Sequence, residues 1–200
     1  MSPKPVPKPL RVMLVDDSSD RRAMLDEALS NVGCALVACV SNDANLLAAV
    51  ESCDPDVILI DVEAPGRDTL ESLETVQANI PRPMVMFSQD DNDESIRRAT
   101  RAGVSAYVVD GLQAKRVRPI IDAAVARFQY FNFLEAELKQ ARNQLTERKD
   151  IDRAKGIIMQ QRGVSEEVAY QSMRKLAMDS NQKLSQVARS IIQAATLLSK

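Results

Sequence analysis

Asp16 and Asp17 follow the apolar run LRVMLV, Asp61 closes DVILID, and Ser88 closes PMVMFS. A single acid at the end of a buried run is commonplace, because loops start there and Asp suits a turn. Three acids gathered on one edge are another matter. Their mutual repulsion is costly unless a hard cation sits among them. Mg2+, held by a few carboxylate oxygens, a carbonyl and waters, answers that need. The chain has no histidine, which excludes Ser-His or Cys-His catalysis and histidine-bound zinc. Its three cysteines, Cys34, Cys39 and Cys53, form no CxxC pair and read as reduced, buried thiols.

Whether the acids meet depends on the elements that carry them. From residue 10 the chain alternates short apolar runs with helical stretches: LRVMLV, CALVACV, DVILID, PMVMFS and SAYVV are five expected strands. Between them lie SDRRAMLDEALSNVG, DANLLAAVESC, DTLESLETVQAN and DNDESIRRATRAG, with a fifth helix to follow. That alternation predicts an α/β fold with a five-stranded, parallel, doubly wound sheet covered on both faces. In such a sheet ligands gather at the carboxyl ends of the strands. Asp16, Asp17 and Asp61 all fall there.

After Leu112 no strand signal remains. A helical pattern runs from about Gln113 to Lys149, with Pro119 near its start. Phe131, Leu134, Leu138, Ala141 and Leu145 step 3, 4, 3 and 4, which is the seam of a short coiled coil. A second copy of the chain is the favoured partner for this seam; packing on the chain's own domain is the alternative. The last 50 residues read as three short helices, one ending at Gly163 and the next capped by Ser165.

The net charge of −2 hides an asymmetry. Residues 123–200 hold 13 Lys/Arg against 8 Asp/Glu, while residues 1–122 hold 13 against 20. A basic back half points to an anionic partner, although a solvated basic face would look the same. The start, MSPKPVPKPL, is basic and proline-rich without an apolar core, so it reads as a disordered tail over 1–9 and not as a secretory signal. The longest apolar runs are too short to cross a bilayer, and a cytoplasmic location is expected.

Residues 10–122 resemble a response-regulator receiver domain, through VDD after the first strand, Asp61, Ser88 and Tyr107. The resemblance implies Asp61 as phosphoacceptor and Asp16, Asp17, Asp61 and the Glu63 carbonyl as Mg2+ ligands. It further implies Ser88 as the hydroxyl that follows the phosphoryl group and Tyr107 as the coupled aromatic. The chain departs from the family at Asp110, which stands where the family has a lysine, and Gly111 follows where proline is usual. That exchange removes a cation and adds a repulsive charge. At an effective dielectric of about 20 and a separation of about 4 Å, each unit-charge interaction is roughly 4 kcal/mol. Asp61 is therefore expected to be a poor or vestigial phosphoacceptor, with Asp110 altering the switch.

The string RKDIDRAKGIIMQQRGVSEEVAYQSMRKLAMDSNQKLSQVARSII resembles the ANTAR domain almost throughout. The resemblance implies an RNA-binding antitermination module of three helices on a coiled-coil stalk. The domains are then a receiver over 10–122, a stalk over 123–145 and an ANTAR module over 146–200. Tyr170 is the module's one aromatic, so recognition falls to Arg, Lys and Gln on helices. The candidates are Arg153, Lys155, Arg162, Arg174, Lys175, Lys183 and Arg189, with Gly156 allowing close backbone approach. Ala154, Ala169, Ala177 and Ala188 read as packing positions. The domain order resembles the NasT type of nitrate-assimilation antiterminator. That type implies a leader mRNA with two hairpins as target, a dimer as the active form, and an inhibitory nitrate/nitrite-sensor protein (NasS-like) as partner. The alternative is a DNA-binding regulator switched by phosphorylation. No enzyme activity is expected.

Overall fold

The computed structural model describes residues 8–17, 25–27, 29–109 and 114–198. Asp110, Gly111 and most of the expected tail lie outside the described residues, as does much of the first expected helix. The chain divides into two compact units, residues 1–132 and 133–200.

In the first unit five strands form one parallel sheet in the order β2-β1-β3-β4-β5: β1 Leu10–Val15, β2 Cys34–Val40, β3 Val57–Val62, β4 Met84–Ser88 and β5 Ala106–Val109. The helices are α1 (helical residues 25–27 and 29–31), α2 Leu46–Cys53, α3 Arg67–Asn79, α4 Asp93–Arg101 and the start of α5, Ala114–Arg162. The doubly wound fold expected from the alternation is the one observed. Every residue of β3 is buried, which requires apolar cover on both faces.

The period-two alternation of a strand divides that cover. Met13, Val15, Ile58, Ile60, Met84 and Met86 pack with Leu46 and Val50 of α2, Leu70, Leu73 and Val76 of α3, and Ala99 of α4. Val12, Leu14, Val57, Leu59, Val85 and Phe87 pack with Leu25, Leu29, Val117, Ile121 and Ala124. The helices start where polar caps allow. Asn45 accepts the Ala48 N–H at 3.1 Å and Asn92 accepts that of Glu94 at 2.8 Å, so α2 and α4 begin later than their periodicity alone predicts.

The second unit differs from expectation in one respect. The first of the three expected short helices is not separate: α5 runs unbroken from Ala114 to Arg162. Between Pro119 and Gly156 nothing breaks a helix, and the exposed Gly156 costs only about 1 kcal/mol relative to Ala. Gly163, at φ +64°, ends α5, its N–H bonding the Met159 carbonyl at 3.0 Å. Ser165 caps α6, Glu166–Asp179, by accepting the Val168 N–H. Asn181, at φ +51°, turns the chain into α7, Leu184–Leu198. Gln186 Oε1 reaches back to accept the Lys183 N–H at 3.1 Å, the glutamine half of a capping box.

The small core of this unit is Ala154, Met173 and Ala188, with Ile151, Ile158, Leu184, Ile191 and Ile192 around it. Ala169 is also fully buried and Ala177 nearly so. Small residues at these positions let the helices approach closely. Upstream, Phe131, Leu134, Leu138, Ala141 and Leu145 are all exposed along α5, together with Tyr130 and Phe133.

Candidate functional site

The register of the sheet positions the acids. Val15 of β1 lies beside Ile60 of β3, so Asp16 and Asp61, each the next residue on its strand, reach the same edge. Val62 lies beside Ser88 of β4, and Ser88 beside Val109 of β5. Asp16 is 6% exposed, Asp61 7% and Ser88 0%. Asp16, Asp17 and Asp61 line one cleft of about 520 Å³ with Asn42, Glu63, Gly66 and Thr69.

The cleft is nevertheless not a ready-made cation site. Among the described residues no three His, Cys, Asp or Glu side chains are grouped to hold a metal. Asp17 is turned to Asn42, accepting its backbone N–H at 2.9 Å and its Nδ2 at 2.6 Å. The backbone bond first, and then the side-chain bond, hold the Asp17 carboxyl below the usual range. The Glu63 carbonyl accepts the Ser88 hydroxyl at 2.8 Å and the Gln89 N–H at 3.2 Å. Asp17 and the Glu63 carbonyl, both expected ligands, therefore already receive hydrogen bonds. The donor set of Asp16, Asp17, Asp61 and the Glu63 carbonyl is all oxygen, which suits a hard cation.

Ser88 and Tyr107 are linked through one backbone segment. The Asp90 N–H donates to Ser88 Oγ at 3.1 Å, and the Tyr107 hydroxyl donates to the Asp90 carbonyl at 2.7 Å. Burial pushes the Tyr107 phenol up, and a hydrogen bond with Ser88 partly offsets it. No sequence motif singles out Asn42. It sits two residues beyond β2, which neighbours β1, and that adjacency on the sheet edge was the one signal available.

In the helical unit, Arg153, Gly156, Arg162, Arg174, Lys175, Lys183 and Arg189 are exposed. Arg174 and Lys183 line one open depression at the α6–α7 turn with Met178, Asn181 and Gln182. Lys155 is different. Its side chain is only 16% exposed, and its ammonium pairs with Asp152 at 2.8 Å and Glu166 at 2.7 Å. Asp152 first, then Glu166, hold it above the usual lysine range. Lys155, an expected RNA contact, has its ammonium engaged in tying α5 to the start of α6. Arg189 pairs with Asp150 at 2.9 Å but remains half exposed.

A five-stranded parallel sheet carrying buried acids, a buried serine and a tyrosine at its carboxyl edge defines a receiver. Residues 12–122 match the response regulator receiver domain, and the chain belongs to that family. Residues 139–192 match the ANTAR domain, so the chain is a receiver with a C-terminal ANTAR module. It is 28% identical over 185 residues to the transcriptional regulatory protein PdtaR of Mycobacterium tuberculosis, covering 92% of this chain and 90% of that protein. The nitrate regulatory protein of Klebsiella oxytoca is 36% identical over 83 residues, 42% of this chain and 20% of that protein. Among solved structures, a response regulator receiver domain protein from Methanospirillum hungatei superposes with a TM-score of 0.53 at 19% identity. It covers 61% of this chain and 98% of that one, and supports the fold alone.

If Lys155 ties two helices, its effect must run through its partners. Lys155→Ala should keep the helical circular dichroism while lowering the urea midpoint. Adding Glu166→Gln should then cost little more, because the pair is already broken. Full additivity in the urea series would show that the two side chains do not act together.

Proposed function

We propose that the chain is a cytoplasmic transcription antiterminator that binds a two-hairpin leader mRNA through its ANTAR module. The observation that carries the reading is the set of exposed cations in that module, above all Arg174 and Lys183 around one depression. Unpaired loop bases are read by splaying them out, with basic side chains holding the phosphates. Arg153, Arg162, Lys175 and Arg189 extend the basic surface beyond the depression. DNA recognition by helix-turn-helix is less favoured, since it needs a recognition helix laid in a major groove. In α6 and α7 the buried faces carry Ala169, Met173, Ala177, Val187 and Ala188, and the cations are spread over both helices and α5.

The proposed control is by a protein partner, a nitrate/nitrite sensor that holds the regulator until ligand releases it. Resemblance to nitrate regulators supports this, as does the sequence at Asp110, an acid where the receiver pattern has a lysine. The active form proposed is a homodimer joined along Phe131, Leu134, Leu138, Ala141 and Leu145. Their exposure on α5 supports that reading.

The full chain should bind a two-loop leader RNA more tightly than the matching duplex DNA, and salt should weaken the binding through counterion release. Arg174→Ala and Lys183→Ala should each lower RNA affinity about tenfold, the loss of one good charge-assisted contact. Filter binding at fixed salt decides it, and equal or tighter DNA binding would favour the DNA-binding alternative.

Leu134→Asp with Leu138→Asp should give a monomer that loses avidity for two-loop RNA but not for a single loop. A double mutant that sediments like wild type would place the row in an intramolecular contact.

Acetyl phosphate should label Asp61 slowly in wild type and faster in Asp110→Lys, read by intact mass. Asp61→Asn should leave RNA binding nearly unchanged. Rapid, stoichiometric labelling of wild type would instead support the phosphorylation switch.

A further inference from the structure

We propose that Asn42 occupies the cation's place on Asp17, so that Mg2+ can complete a site with Asp16 and Asp61 only by displacing the Asn42 side chain. The proposal rests on the reading of the acidic cleft as a receiver's Mg2+ site.

Three observations on the cleft support it. The first is geometric. Asn42 gives Asp17 two hydrogen bonds, one to each carboxylate oxygen, from its backbone N–H at 2.9 Å and from Nδ2 at 2.6 Å. Hydrogen bonds to a charged acceptor are the strong kind, about twice a neutral pair. They relieve the repulsion that three neighbouring acids would otherwise feel. That relief is the role a bound cation plays.

The second concerns how the donor is held. Asn42 lies in a turn closed by the Ala44 N–H on the Ser41 carbonyl at 3.1 Å and by the Ser41 hydroxyl on Asp43. Asn45 then caps α2. The turn is thus anchored at both ends, and it presents the Asn42 backbone N–H to Asp17. The side chain is held more lightly. Its Oδ1 is buried without a hydrogen-bond partner among the described residues, so Asp17 supplies the amide's bonds. An amide flip would set Oδ1 against the carboxylate, which fixes the orientation shown.

The third is the opposite wall. There the Glu63 carbonyl, the expected backbone ligand, accepts the Ser88 hydroxyl. Ser88 and Asn42 therefore each supply a donor to a ligand group. Donors that lower a carboxylate's affinity for a proton lower its affinity for a divalent cation by the same electrostatics. The backbone bond survives any side-chain exchange, so substitution at Asn42 removes only the Nδ2 contribution.

The test is Mg2+ titration by calorimetry on the full chain at fixed pH and ionic strength. Asn42→Ala should bind Mg2+ about tenfold more tightly than wild type, the scale of one charge-assisted bond released. Asn42→Lys should bind it more weakly still than wild type, since a fixed cation then replaces the amide. In parallel, the Asn42 side-chain amide resonances of wild type should shift as Mg2+ saturates. This second readout needs no variant and stands even if Asn42→Ala fails to fold. Equal or weaker binding in a folded Asn42→Ala, or amide resonances unmoved at saturation, would overturn the proposal while leaving the Mg2+ site intact. Absence of any Mg2+ binding in both wild type and Asn42→Ala would overturn the site itself.

Discussion

The pairing of β1, β3 and β4 underlies the chemistry of the first unit. β3 is buried along its whole length, so its side chains must alternate between two apolar layers. In a half-buried strand a slip of one residue moves an apolar row into water; in β3 it would drive each row into the wrong layer. The register is therefore tightly held, and with it the meeting of Val15 with Ile60 and of Val62 with Ser88. Asp16 and Asp61 come together because the apolar residues before them cannot be anywhere else. Their closeness is a cost that the core enforces, and the polar groups of the surrounding loops answer it.

The way those loops answer it separates what could be read in the sequence from what could not. The five strands, the flanking helices, the Ser165 cap and the buried alanines of the second unit were legible, because each rests on periodicity or on a local cap. The placing of Asp16, Asp17 and Asp61 on one cleft followed from topology. The turning of Asp17 to Asn42 and of the Glu63 carbonyl to Ser88 did not. Each is one polar contact between segments 25 residues apart, and such contacts leave no period.

The same limit applies to Lys155. Lysine within a basic helix looks free, and only the fold brings Glu166, 11 residues on, to its ammonium. The continuous α5 was missed for the opposite reason. The expectation of a separate short helix ending at Gly163 had a stop signal at its end but none between it and the helical pattern before it. Absence of a breaker is itself information. Between Pro119 and Gly156 it outweighs any preference for compact short helices.

The middle of α5 then poses its own physical problem. Residues 130–145 belong to neither apolar core, and their apolar side chains face water. An isolated helical stretch of that length is marginal in water, because nucleation is costly and each residue adds little. The cores at either end supply the nucleus, so this stretch only has to propagate. Propagation explains why it is helical, but not why it carries Tyr130, Phe131, Phe133, Leu134, Leu138 and Leu145 where polar residues would propagate equally well. Exposed singly, such residues need no explanation; Phe131, Leu134, Leu138 and Leu145, which with Ala141 step by 3 and 4, form a row that costs solubility without stabilising the helix. The cost is recovered if a second chain covers them. That is the physical ground for the proposed dimer, and it is independent of any resemblance.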